Sequence, residues 1–168
     1  MTISGRAKIA GVIGWPVAQS RSPLMHNHWI STLGLEAAYV PLAVKPENIE
    51  RAVRALPALG FQGANVTVPH KEAALKACDG LDAADRRIGA VNTIVVREDG
   101  GLEGRNTDAV GFAESLRAAH ELGLTTVGGL RMLIEQARPG FAAWFGQTPP
   151  VTRELIEMLE ADVRARAG

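Results

Sequence analysis

At 168 residues the chain is long enough for one well-packed domain with a small appendage. Its 18 basic and 18 acidic side chains cancel, which excludes a general electrostatic attraction for nucleic acid or an anionic membrane. A single cysteine, Cys78, excludes an internal disulfide and a cysteine-based metal cluster, and four histidines (His26, His28, His70 and His120) are too scattered to mark a metal site.

No run reaches transmembrane length and no signal-peptide pattern opens the chain, so a reducing, cytoplasmic setting is expected. Residues 8–14, "KIAGVIG", read as a first strand, ended by Trp15-Pro16 because Pro16 has no N–H for a ladder. A helix is predicted to start at Ser22 as N-cap with Pro23 at the first helical position, and to stop at Gly34. Leu24, Trp29, Ile30 and Leu33 supply the bulk of its buried face. The loop Gln19-Ser20-Arg21-Ser22 lies between a strand end and a helix start, where hydroxyls and free backbone N–H groups could hold a carboxylate or another anion. Plain capping by Ser22, with Ser20 hydrogen-bonded inside its own turn, explains the same residues.

Residues 37–44 form a second predicted strand, which tolerates Pro41 only near an edge or a bulge. Residues 46–59 predict a helix, with Ile49, Ala52, Val53, Leu56 and Leu59 at helical spacing and Gly60 as its stop. Residues 63–68 read as a short buried central strand, and Pro69 forces the chain out of the sheet. His70 and Lys71 then fall at the C-terminal lip, where open α/β sheets place ligands. A lysine held there by a rigid turn is a candidate for chemistry; the ordinary alternative is a solvated surface lysine.

From 72 to 89 the pattern is helical in two pieces. Ala73, Leu75 and Ala77 form the first, Asp79-Gly80 breaks it, and residues 81–88 form the second. Residues 90–96 predict a strand, Asp99-Gly100-Gly101 a hairpin turn, and Leu102-Glu103 a short returning strand. The rhythm of strands and helices predicts an α/β fold: three layers, α/β/α, around a mostly parallel mixed sheet with one antiparallel member. A further helix runs to about Leu122, with Val110, Phe112 and Leu116 among its apolar members. Thr107 or Asp108 could cap it. Alternatively, Asp108 faces Lys71 across a cleft, where a Lys–Asp pair would bind a hydroxyl oxygen and support proton transfer.

Leu130, Leu133, Ile134 and Ala137 form one face of a terminal helix that Pro139-Gly140 interrupts, and Phe141, Trp144 and Phe145 continue as core. Thr152 is the expected N-cap of a last helix with Leu155, Ile156, Leu159 and Val163 inward and Glu154, Glu157 and Glu160 outward. Arg164 and Arg166 near its end suit the helix dipole.

Four blocks in this order resemble the shikimate dehydrogenase family. They are Gly14-Trp15-Pro16 with Ser20-Arg21-Ser22-Pro23, Asn65-Val66-Thr67-Val68-Pro69-His70-Lys71, Gly89-Ala90-Val91-Asn92-Thr93, and Asn106-Thr107-Asp108-Ala109-Val110-Gly111-Phe112. The likeness covers residues 8–120 and resumes near Leu124. It implies that Ser20 and Ser22 hold the shikimate carboxylate, that Thr67, Asn92 and Asp108 contact ring hydroxyls, and that Gln136 touches substrate from the C-terminal helices. Lys71 and Asp108 match the family's catalytic pair, with Lys71 the favoured acid/base. The family reaction is the reversible, NADPH-dependent reduction of 3-dehydroshikimate to shikimate. Gln19, Gly128 and Arg131 depart from the family pattern, the last two in the loop that meets the nicotinamide end of the cleft.

The family also carries a Rossmann unit after the Phe112 helix, and no strand with a tight Gly-x-Gly turn is legible here. Only about 45 residues follow that helix, where a dinucleotide domain needs on the order of 100. The expected organisation is a shikimate-binding α/β domain over residues 1–122, with helices of residues 123–168 packing on it and no separate dinucleotide-binding domain. The expected ligands are shikimate or 3-dehydroshikimate, bound weakly, with no NADP held tightly by this chain and negligible turnover alone. Alternatives are a structural or interaction module, an engineered deletion, a homodimer through the surface a missing domain would expose, or a half enzyme complemented by a separate partner.

Overall fold

The run Lys8–Gly14 forms strand β1, buried from Ala10 to its end, as a strand covered on both faces must be. In this computed structural model, which describes residues 3–81, 83–121 and 129–167, β1 lies between β2 (Ala37–Ala43) and β3 (Phe61–Val66), both parallel to it. β2 is an edge strand of the six-stranded sheet, so Pro41, opposite Val12, denies a hydrogen bond to no further neighbour. On its other side β3 pairs antiparallel with β5 (Thr93–Val96), which turns through Asp99-Gly100-Gly101 into β6 (Leu102–Arg105). The two-residue β4 (Gly80–Leu81) pairs parallel with β6 and closes the far edge. The strand that runs against the rest is therefore β5 itself, and the returning β6 rejoins the common direction.

Helices cover both faces, giving the expected three layers. On one face, α1 (Ser22–Thr32), α6 (Gly129–Phe145) and α7 (Arg153–Ala167) bury Met25, Trp29, Ile30, Ile134, Phe141, Trp144, Leu155 and Leu159. On the other, α2 (Ile49–Ala55) and α3 (Lys71–Leu75) pack Ile49, Val53, Leu56 and Ala74 against Ile13, Val66 and Ile94. A short α4 (Ala83–Ile88) follows β4, and α5 (Asp108–Glu121) lies along α6. Among the described residues no helix is long and apolar enough to cross a membrane, and no cluster of potential metal ligands occurs.

Several boundaries differ from the sequence reading for identifiable reasons. The helix expected over 46–59 is a 3₁₀ turn, Pro46–Asn48, followed by α2, which stops at Ala55. Pro57 has no N–H to give the Val53 carbonyl, so Leu59 lies outside the helix and 64% exposed. β3 ends at Val66, leaving Thr67 and Val68 in the turn, and β5 starts only at Thr93. Leu81 sits in β4 instead of opening a helix. Pro139 does not break α6; the helix runs through it, held by the buried Phe141, Trp144 and Phe145 beyond. Val110, Phe112 and Leu116 are exposed, and α5 packs through Gly111 and Ser115 instead. Val163 is likewise exposed, whereas Leu155 and Leu159 are buried and Thr152 Oγ1 accepts the Leu155 N–H at 3.2 Å as a cap should. The helix end at Leu122, the restart near Leu124 and the Gly128 departure lie outside the described residues.

Two core sites are sensitive to single changes. Gly63 adopts φ 153°, and a Cβ there would collide with the Ile94 carbonyl and with Trp144, whose indole N–H donates to that same carbonyl at 2.9 Å. We predict that Gly63→Ala lowers unfolding free energy by about 3 kcal/mol, measured by urea denaturation. His26 is fully buried, stacked on Tyr39 with ring centroids 3.9 Å apart, and its Nδ1 donates to the Ser22 carbonyl at 2.9 Å. Burial pushes its pKa down to about 4, the Ser22 hydrogen bond partly opposing this. Between pH 6.5 and that value the unfolded chain takes up a proton that the folded chain excludes, so stability falls as pH falls through this window. Taking the wild type from pH 7.5 to 4.5 should remove about 2–3 kcal/mol more than it removes from His26→Phe, in paired urea titrations.

Candidate functional site

The reversal of β5 determines what meets at the C-terminal lip of β1 and β3. An antiparallel β5 begins at that lip, and β6, running back beside it, ends there. The Val66 N–H donates to the Asn92 carbonyl at 2.8 Å, so the residue just before β5 lies against the end of β3. Thr67 is tied to β1 by its N–H on the Ile13 carbonyl at 2.9 Å. His70, buried, has Nε2 at 2.7 Å from the Val44 carbonyl, which anchors the turn from which α3 starts. Lys71 is the first residue of that helix.

Asp108, at the start of α5, is held on both oxygens. Lys71 Nζ donates to Oδ2 at 2.6 Å and Asn92 Nδ2 to Oδ1 at 2.7 Å. Asn92 is itself fixed, because its Oδ1 accepts the Thr107 N–H at 2.9 Å and the Thr107 hydroxyl at 3.1 Å. The choice left open by sequence is thereby decided. Neither Asp108 nor Thr107 acts as the side-chain cap of α5; Asn106 Oδ1 takes the Asp108 N–H at 3.1 Å, and Asp108 turns to Lys71. Both members of the pair are about one-third exposed, at 33% and 31%, so the pair opens on solvent and on any molecule entering the cleft.

The serine loop follows a different rule from the one predicted. α1 starts at Ser22 with Arg21 in the N-cap position, and no side chain caps it. The expected cap by Ser22 is therefore absent, since a residue already inside the first turn cannot reach forward to the free N–H groups. Ser20 does bond within its own turn, Oγ accepting the Ser22 N–H at 3.3 Å. Gln136 arrives from α6, where Gly111 of α5 permits close approach: a Cβ on Gly111 would stand 2.7 Å from Gln136 Cα. Ser20, Ser22, Thr67, Lys71, Asn92, Asp108 and Gln136 all line one cavity of about 250 Å³. Leu133 and Val12 contribute apolar wall.

Asn65 lines the same cavity and was missed as a site residue by the sequence reading. A lone asparagine in an apolar strand was the available signal, because a buried amide needs partners. Its Oδ1 accepts the Tyr39 hydroxyl at 2.6 Å, and its Nδ2 donates to the Asn92 carbonyl at 3.2 Å. Tyr39 lies on β2 and reaches across β1 to do this, a contact with no signature in local spacing. Burial raises the Tyr39 pKa well above the phenol range, a Ser22 hydrogen bond opposing it, so the hydroxyl stays a neutral donor. The cavity thus presents two cations, Lys71 and Arg21, one carboxylate, hydroxyls and amides around a small volume, a lining suited to a small polar molecule with several hydroxyls.

Comparison with known proteins points the same way. Residues 12–94 match the shikimate dehydrogenase substrate binding domain, and residues 129–153 match the shikimate 5'-dehydrogenase C-terminal domain. The chain is similar to the shikimate dehydrogenase (NADP(+)) of Paramagnetospirillum magneticum, 63% identical over 115 residues, covering 68% of this chain and 42% of that protein. It is similar to the shikimate dehydrogenase (NADP(+)) of Gluconobacter oxydans, 52% identical over 171 aligned residues, covering 99% of this chain and 60% of that protein. Among solved structures, shikimate 5-dehydrogenase from Thermus thermophilus, in complex with NADP(H) and shikimate, matches with a TM-score of 0.64 and 41% identity over 67% of this chain and 42% of that one. The chain spans about 40 to 60% of the length of these relatives. With both of the family's matched regions in their proper order and their lining residues gathered at one lip, the chain belongs to the shikimate dehydrogenase family.

Proposed function

We propose that this chain supplies the substrate site and the acid/base pair for interconversion of shikimate and 3-dehydroshikimate. The observation that carries this reading is the Lys71 Nζ–Asp108 Oδ2 contact of 2.6 Å at the wall of the cavity, with Asn92 fixing the other carboxylate oxygen. Ser20 and Ser22 hold the substrate carboxylate. Thr67, Asn92 and Asp108 orient the ring hydroxyls, and Gln136 contacts the ring from α6. Asp108 holds the Lys71 side chain directed at the oxygen that alternates between ketone and hydroxyl. In the reducing direction Lys71 gives that oxygen a proton, and in the oxidising direction it takes one back. Since Leu133 and Gln136 of α6 line the cavity that the α/β core provides, residues 1–122 and the terminal helices act as one substrate-binding unit.

NADP supplies the hydride in this chemistry. Among the described residues, no strand passes through a glycine-rich turn into a helix N-terminus of the kind that cradles a pyrophosphate, so the fit to a dinucleotide is poor. The part these residues play is to bind and orient the substrate and to move its proton. Hydride transfer requires donor and acceptor carbons roughly 3–3.5 Å apart, which an acid/base pair cannot replace. A second reading rests on α5, where Val110, Phe112 and Leu116 are each about half exposed, a surface that a second copy of the chain would cover.

Separate calorimetric titrations test the first reading. Shikimate should bind and NADP⁺ should not, and Asp108→Asn should weaken shikimate about 10-fold or more through loss of a charged hydrogen-bond acceptor. Steady-state NADP⁺ reduction with shikimate by the isolated chain should be negligible; robust turnover would overturn the poor dinucleotide fit, and absence of shikimate binding would defeat the proposal. Concentration-dependent sedimentation, abolished by Phe112→Glu, would support the second reading, and a strictly monomeric chain would remove it.

A further inference from the structure

The loop that carries Ser20 and leads into Ser22 at the start of α1 is irregular, and within its own span it is held by few bonds. The Ser20 N–H reaches the Val17 carbonyl at 3.0 Å and Gln19 Nε2 reaches the Pro16 carbonyl at 3.1 Å. Its firmest attachments come from the other end of the chain. Arg21 Nε donates to Asp162 Oδ2 at 2.9 Å, bridging 141 positions, and Arg166 Nε donates to Asp162 Oδ1 at 3.0 Å. Arg166 Nη1 also donates to the Gln19 carbonyl at 3.1 Å. Both oxygens of one carboxylate on α7 are thus engaged by guanidinium groups, one belonging to the loop and the other returning to it. Asp162 and Arg21 are only 19% and 28% exposed in their side chains, so this pair is less screened than a surface ion pair.

Arg21 also lines the cavity. An unpaired guanidinium in that position would be drawn to any anion entering the cleft and would carry its loop along. Bound to Asp162, it instead holds the backbone between the two serines against α7. We propose that Asp162 and Arg166 are positioning residues for the anion end of the cavity: through Arg21 and the Gln19 carbonyl they hold the Ser20 and Ser22 hydroxyls in the arrangement that receives a carboxylate. This rests on the reading that those hydroxyls hold the substrate carboxylate. Neither residue touches the ligand; each acts through the loop.

The test compares shikimate with its uncharged methyl ester on the full 168-residue chain, by calorimetry and ligand-observed NMR, for wild type, Asp162→Asn, Asp162→Glu and Arg166→Gln. Asp162→Asn and Arg166→Gln should weaken shikimate about 3- to 30-fold while leaving the ester within about twofold, as coupling confined to the anion subsite requires. Asp162→Glu should recover part of the loss, and added salt should narrow the gap between wild type and variants. Thermal unfolding checks that each variant is folded. Should Asp162→Asn fail to fold, Arg166→Gln decides, since that side chain is 41% exposed and its loss leaves the Arg21–Asp162 bond in place. Equal losses for acid and ester, or unchanged shikimate affinity in folded variants, would overturn the proposal. Wild type that binds neither ligand would instead remove the carboxylate reading of the serine loop, and the positioning role with it.

Discussion

A carboxylate at the edge of a cleft is useful for chemistry only if its orientation is held from more than one side, and Asp108 is held from two. Lys71 approaches from the helix after β3 and Asn92 from the segment before β5, and both bonds are 2.7 Å or shorter. These residues are 37 and 16 positions from Asp108, so their meeting depends on the sheet. With β5 reversed, the end of β3, the start of β5 and the end of β6 all arrive at one lip, while the hairpin at Asp99-Gly100-Gly101 lies at the other. A parallel β5 would have carried Asn92 to the far side of the sheet.

The worth of this arrangement is geometric more than energetic. Pairs as exposed as Lys71–Asp108 contribute little to folding, about 1 kcal/mol or less. The surrounding polar groups matter because they are buried and bonded. Asn92 is 5% exposed, and it spends its carbonyl oxygen on Thr107 and its amide nitrogen on Asp108. Asn65 is bonded to Tyr39 and to the Asn92 carbonyl in the same way. A polar network with these partners resists rearrangement, because leaving any one of its buried groups unpaired is costly. The aromatic side chains of His26, Tyr39, Phe141 and Trp144 pack against one another in the buried core, and α6 joins that core to the cavity through Gln136.

Much of this was legible in local pattern. The β1 run, the edge placement of Pro41, the hairpin glycines and the Thr152 cap each depend on a few neighbouring residues, and each was read correctly. Other elements were misread where a distant contact overrode a local rule. Pro139 ordinarily ends a helix, yet Phe141, Trp144 and Phe145 bury so much apolar surface beyond it that α6 continues. Leu81 begins a run whose pattern reads as helical, but it pairs with β6, a partner that arrives only later in the chain. On α5, the apolar Val110, Phe112 and Leu116 are exposed, and small residues face α6 because the two helices approach closely at Gly111.

What the sequence by itself determined was the alternation of strands and helices and the set of polar residues lying near strand ends. Those follow from period, turn chemistry and residue type, all of which act over a few positions. The tertiary structure alone decided that Asp108 turns to Lys71 instead of capping its helix, that Tyr39 reaches over β1 to Asn65, and that Asp162 of α7 takes hold of Arg21. Each is a hydrogen bond between side chains on separate elements, and its existence depends on strand order and helix placement, which no local spacing encodes.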